Sequence, residues 1–423
     1  MGSHAVRRTA AIAATAALAA FGPPASGVAS ASSAGDVRTV IADDGDAERF
    51  QIDDTQCSFP SDVIKGTPWS LQRIVLDQLW KDTQGLGVKV AVIDTGVDKN
   101  NRQLATAIQF RGGKDLIERG RTNDGTKDPV GHGTKVAGII AARPSRETGF
   151  VGIAPRASIL AIRQNDNQGG GTVRTMVEAI KYAADAGAQV INISQDTATA
   201  MPPNSALEQA VRYAQERDAL IVASAGNDGA GGQVKLTYPA SYDGVLAVGA
   251  SDRDNARANF SQPGPFVGIA APGVDMVSTV PFGGHCIDQG TSFSAPYVSG
   301  VAALIRAKHP DWSYRQVITQ IEQTADRSKP GRDDFVGWGV IDPVAAVNDD
   351  ATTPKDAPTP DPVVNAGARE KIEAATVILG ESPQERTERY AVYTVGGAVG
   401  GVALLVGGGV VLGDWRRKRG INT

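Results

Sequence analysis

Apolar residues recur along this chain in two alternating rhythms. Short, β-branched runs at 88–93, 158–162, 189–194, 219–223, 245–250 and 266–270 are apolar on consecutive positions, as strands buried on both faces require. Between them, apolar positions spaced three to four residues apart predict helices at 134–142, 172–186, 205–217, 294–308 and 313–325. Ser313 and Gln316 form a capping box at the start of the last one. This alternation predicts an α/β fold, a mainly parallel sheet with helices on both faces. Reacting groups in such sheets gather at the carboxyl ends of the strands.

The pattern changes at both ends. Residues 391–413 form a 23-residue stretch with no formal charge, followed by Arg416-Arg417-Lys418-Arg419. As a helix it extends about 35 Å, the thickness of a bilayer core. We expect a transmembrane helix at 390–413 and, because basic residues favour the cytoplasmic side, a cytoplasmic tail at 414–423. A buried core helix is the alternative, but its many glycines and basic stop fit that poorly. Gly396 with Gly400, and Gly397 with Gly401, have the spacing that lets membrane helices approach closely.

At the other end, Arg7 and Arg8 precede an apolar stretch at 9–21 and the small-residue motif Ala29-Ser30-Ala31. Residues 1–31 read as a secretory signal peptide. Met1-Gly2-Ser3-His4 looks like vector sequence, which does not account for the apolar core that follows. Residues 32–68 form an N-terminal extension and 69–348 the main domain. At 349–389, Pro354, Pro358, Pro360 and Pro362 favour an extended, poorly packed linker running to the membrane. The domain is thus expected outside the membrane, on a single-pass anchor.

A length of 423 residues, 41% of them apolar, suffices for one large domain with accessory segments, and a net charge of −4 gives no sign of nucleic-acid binding. The two cysteines, Cys57 and Cys286, suggest a disulfide in an exported chain; free thiols or pairing between molecules are the alternatives. A disulfide would staple the extension beside residue 292.

The chemistry lies in three short segments: Asp94-Thr95-Gly96, His132-Gly133-Thr134 and Gly290-Thr291-Ser292-Phe293-Ser294-Ala295-Pro296. They supply an acid at a strand's end, a base at a helix start and a nucleophile at another helix start. Asn227, in Ser224-Ala225-Gly226-Asn227-Asp228-Gly229, is a candidate oxyanion donor. Alone, each match is weak, since Asp-Thr-Gly also occurs in aspartic proteases and His-Gly-Thr in ordinary turns. No second Asp-Thr-Gly appears, and the chain is not β-rich.

Together these segments resemble the subtilase family over about residues 68–347. The resemblance implies a subtilisin-like serine endopeptidase in which Asp94 orients, His132 is general base, Ser292 is nucleophile and Asn227 the oxyanion amide. It also places Gly169, Gly170, Gly171, Ser194 and Gln195 where substrate-binding edges form. Ser194-Gln195-Asp196 departs from the family's usual Ser-Leu-Gly wall, which suggests a narrower substrate choice or merely a solvated loop. No cofactor and no metal are implied, and no EF-hand pattern is present.

The order of signal peptide, short Cys-bearing extension, subtilase core, Pro-rich linker and span resembles the mycosins, membrane-anchored proteases of type VII secretion systems. That implies processing of exported proteins beside a secretion complex. A scaffold that stabilises such a complex, with proteolysis secondary, is a second reading; a general surface protease is a third.

Overall fold

The computed structural model describes residues 49–50, 57–109, 112–118, 124–350, 352–355, 357–361 and 383–419. The signal-peptide reading, most of the extension and the last four residues of the tail lie outside the described residues.

In chain order the strands are β1 (Arg49–Phe50), β2 (Lys89–Asp94), β3 (Lys114–Asp115), β4 (Ser158–Arg163), β5 (Gly171–Thr172) and β6 (Val190–Ile193). They continue with β7 (Leu220–Ser224), β8 (Leu246–Ser251), β9 (Val267–Pro272), β10 (Met276–Thr279) and β11 (His285–Asp288). The helices are α1 (Trp69–Gln72), α2 (Leu76–Leu79), α3 (His132–Ala141), α4 (Val173–Asp185) and α5 (Ala206–Gln215). After them come α6 (Thr291–Lys308), α7 (Tyr314–Gln323), α8 (Pro343–Asn348) and α9 (Pro383–Arg419).

Seven strands form one sheet in the order β3-β4-β2-β6-β7-β8-β9, and all its pairings are parallel. Successive side chains in a strand point to opposite faces, so apolar neighbours enter two different cores. Val90, Val92, Val190, Leu220, Val222, Leu246 and Val248 pack with α3 and α6. Ala91, Ile93, Ile191, Ile193, Ile221, Ala223 and Ala247 pack with α4 and α5. The continuous apolar runs are what a sheet covered on both faces demands, and this is the subtilisin-like α/β arrangement.

The predicted strands and helices appear within a few residues of their expected ends, and the Ser313/Gln316 capping box is formed. The antiparallel hairpin β10–β11 was not legible. It leads into α6, whose residues 291 to 306 are all buried.

The hairpin also anchors the extension. Cys57 and Cys286 form a disulfide with Cα atoms 6.4 Å apart. Ser61 N–H donates to the Gly283 carbonyl at 3.1 Å, and His285 N–H to the Asp62 carbonyl at 3.1 Å. At Gly284 the backbone has φ of 85°, and a Cβ would overlap the Ser61 carbonyl oxygen, so only glycine permits this approach.

Within the Pro-rich segment, Pro354, Thr359 and Asp361 bond to α7 and its C-terminal flank. Gln316 Nε2 donates to the Pro354 carbonyl at 3.3 Å, the Thr359 N–H to Gln323 Oε1 at 2.7 Å, and Arg327 pairs with Asp361 at 2.9 Å. The prolines keep the segment extended, while side chains of α7 and its C-terminal flank satisfy its backbone. Among the described residues, α9 is the one helix long and apolar enough to cross a bilayer, and its apolar window is not buried against the rest of the chain.

Candidate active site

Asp94 ends β2 and is fully buried. Its Oδ1 and Oδ2 lie 2.8 and 3.0 Å from His132 Nδ1. The carboxylate also accepts the Thr95 N–H at 2.8 Å. A carboxylate facing Nδ1 selects the tautomer with its proton there, leaving Nε2 as the basic nitrogen.

His132 is the first residue of α3, held there by close helix–strand contact. A Cβ at Gly133 would overlap the Gly96 carbonyl oxygen, so this residue must be glycine for the helix to start beside β2.

Behind the pair lies Asp128, a buried carboxylate that the sequence reading missed. It accepts from Thr95 Oγ1 at 2.7 Å, Gly131 N–H at 2.7 Å, Thr134 N–H at 2.8 Å and Thr134 Oγ1 at 2.6 Å. Burial raises its pKa above the usual carboxylate range, against the lowering by these hydrogen bonds. Thr95 Oγ1 in turn accepts the Gly133 N–H at 2.9 Å. Asp128 therefore caps the start of α3 and fixes Thr95 beside Asp94. The available signal was an acid four residues before His132.

Ser292 lies in the first turn of α6, where backbone N–H groups lack intrahelical acceptors. The ring of the next residue, Phe293, sits 5.5 Å from the His132 imidazole. Lys135 of α3 and Asp288 of β11 form a buried ion pair at 2.7 Å, joining the histidine's helix to the strand before Ser292.

Asn227 follows β7. Its Oδ1 accepts the Thr291 N–H and Thr291 Oγ1, each at 3.0 Å. A backbone N–H can only donate, so the side-chain carbonyl must face Thr291. The amide's NH2 is not used in these bonds. Asn227 and Ser292 border one pocket of about 270 Å³.

The expected substrate edges divide. Gln195 is turned inward: its Nε2 donates to the Ile93 carbonyl at 3.1 Å, and its Oε1 accepts from Gln164 at 2.7 Å and Asn165 at 2.6 Å. Ser194 is buried and accepts from Asn192 at 2.9 Å. The next residue, Asp196, lines the pocket beside Ser292.

Gly169, Gly170 and Gly171 are not among the residues that line this pocket. Asp166 closes a turn there, with its N–H donating to the Gly170 carbonyl at 2.7 Å. Gly171 begins β5, whose antiparallel partner is β1 of the extension, with Phe50 opposite Gly171 and Arg49 opposite Thr172.

A model of the subtilase family matches residues 85–339, more than half of the chain. The chain belongs to the subtilase family. Mycosin-4 of Mycobacterium tuberculosis is 39% identical over 333 residues, covering 69% of this chain and 72% of that relative. Thermitase of Thermoactinomyces vulgaris is 40% identical over 257 residues, covering 60% of this chain and 87% of that enzyme. The solved MycP3 protease from the type VII (ESX-3) secretion system superposes with a TM-score of 0.61 at 35% identity, covering 71% of this chain and 92% of that structure. This subtilase is accordingly a mycosin-like serine protease by fold and family.

Proposed function

We propose that this subtilase is a membrane-anchored, extracytoplasmic endopeptidase that processes exported proteins of a type VII secretion system. The observation that carries its chemistry is the buried Asp94–His132 pair, with contacts of 2.8 and 3.0 Å at Nδ1. In this reading Ser292 Oγ attacks the peptide carbonyl while His132 Nε2 takes its proton and then passes it to the leaving amine. Asp94 holds the tautomer and stabilises the imidazolium. Asn227 Nδ2–H and the Ser292 backbone N–H receive the developing oxyanion.

Anchoring is supported by α9, with its uncharged 391–413 stretch and basic end. The link to secretion is supported by likeness to Mycosin-4 and to a protease of the ESX-3 system. A fluorophosphonate probe, which attacks activated serines without side-chain selection, tests the chemistry. It is expected to label the full chain in detergent and to leave Ser292→Ala unlabelled; an unlabelled wild type would sink the protease reading.

The unburied apolar surface of α9 favours a scaffold as the second reading. Secretion that survives Ser292→Ala but fails on deletion of the whole chain would identify that role.

A further inference from the structure

The pocket beside Ser292 carries charge that the family's mechanism does not use. Its walls come from residues 195–198 after β6, 226–228 after β7, and Lys235 and Thr237 on the following loop. Asn227 and Ser292 on its rim are the groups between which an attacked carbonyl must sit. The side chain on the same residue as that carbonyl, one bond away, is the one that falls into this pocket.

Three charged groups line it: Asp196, Asp228 and Lys235. Two carboxylates and one ammonium give a formal charge of −1. Lys235 Nζ lies 2.6 Å from Asp228 Oδ2. The hydrogen bond to Asp228 is the main force holding the Lys235 ammonium above its usual range, and the field of Asp196 adds to it. The cavity already stabilises one cation, from a side chain that is half exposed.

Asp196 reaches into the cavity because the facing backbone is bare. A Cβ at Gly226 would stand 3.3 Å from Asp196 Oδ2 and 3.0 Å from Thr237 Cγ2. Gly226 has φ of 104°, a conformation that disfavours any side chain that would cover the carboxylate. Gln195, the adjacent residue, is hydrogen-bonded inside the fold, and Asp196 is the charged residue of this wall.

We propose that Asp196 makes this subtilase select a lysine or arginine as the residue whose carbonyl is attacked. The inference rests on the protease reading and names its substrate class: basic sites in exported polypeptides. An incoming ammonium or guanidinium takes a place beside Asp196 and Asp228 and displaces Lys235 toward solvent. An acidic residue would meet net negative charge, a repulsion that salt screens because Lys235 and Asp228 are largely exposed.

The test uses peptidyl diphenyl phosphonates, which trap the active serine with a chosen side chain in this pocket, in a series differing only by Lys, Met or Glu. Rates are taken per active site, with sites counted by a fluorophosphonate that carries no such side chain. In the full-length protein, Lys is expected to react at least about 10-fold faster than Met, with Glu slowest, and the Lys advantage should shrink in high salt. Asp196→Asn should bring the Lys-to-Met ratio to within about twofold of unity, and Lys235→Met should raise it above wild type. A flat series, a preference for Glu, or a Lys preference untouched by Asp196→Asn would overturn the proposal while leaving the protease reading intact. Absence of fluorophosphonate labelling in wild type would instead bring down that reading and this inference with it.

Discussion

Thr291 pins the carbonyl of Asn227 from two sides, so in the proposed mechanism replacing Asn227 removes one oxyanion donor. Asn227→Ala should lower kcat by roughly 100-fold, about 3 kcal/mol, which is the cost of removing such a donor in subtilisin, with KM little changed. Steady-state kinetics check this, and an unchanged kcat would remove Asn227 from the role. Asp128→Ala strands four donors, three at the start of α3 and the Thr95 hydroxyl after β2. It should cost at least about 3 kcal/mol in denaturant unfolding. At this scale the sequence was legible where a side chain has a local marker, such as the glycines flanking His132. It put Gln195 at the substrate edge without separating it from Asp196, because a run buried on both faces gives no sign of which way the chain turns on leaving the strand.

Two elements carry groups whose protonation is set by packing. Glu322 of α7 is pushed up to about 8 by burial, against the pull of Arg332 and Arg327. The unfolded chain ionises it near 4.5, so the folded state loses stability as pH rises from about 4.5 to 8. Glu322→Gln escapes that loss, and its Tm should overtake wild type increasingly across this window. Equal Tm differences at pH 5 and pH 8 would contradict the assignment. His285 of β11 is kept neutral by the same burial acting on a base, with the opposite sign of shift; its Nδ1 accepts the Ile64 N–H at 3.1 Å while Nε2 faces Gln103 Oε1 at 2.8 Å. Burial lowers it to about 4, so its contribution is complete above pH 6.5 and fades as pH falls toward 4. Replacing His285 with Gln should flatten the acid side of the stability profile. The hairpin bearing His285 was missed although it holds residues 61–62 by backbone hydrogen bonds, a contact far apart in sequence that no local pattern records.

Across the whole molecule, the disulfide spans 229 residues and ties the extension to the approach to α6. Cleavage after Asp62 should leave the N-terminal piece attached on a non-reducing gel and release it with reductant. Release without reductant would contradict the staple. The paired cysteines were readable as a count, and the two-layered core as an alternation of runs. The docking of 354–361 was not, since proline-rich composition reports backbone stiffness and says nothing about a neighbouring helix that offers Gln316, Gln323 and Arg327.

That docking fixes where the leash begins. Asp361 is held on Arg327 and α9 starts at Pro383, so 22 peptide links (383 minus 361) separate that point from α9. Fully extended, they reach about 75 Å. With α9 in the bilayer, the catalytic domain works inside a hemisphere of that radius. A substrate delivered within that hemisphere meets the enzyme at an effective concentration on the order of 1 mM. On the proposed anchoring, cleavage there would proceed through subsites too weak to capture the same polypeptide from free solution, so position at the membrane would become part of the specificity.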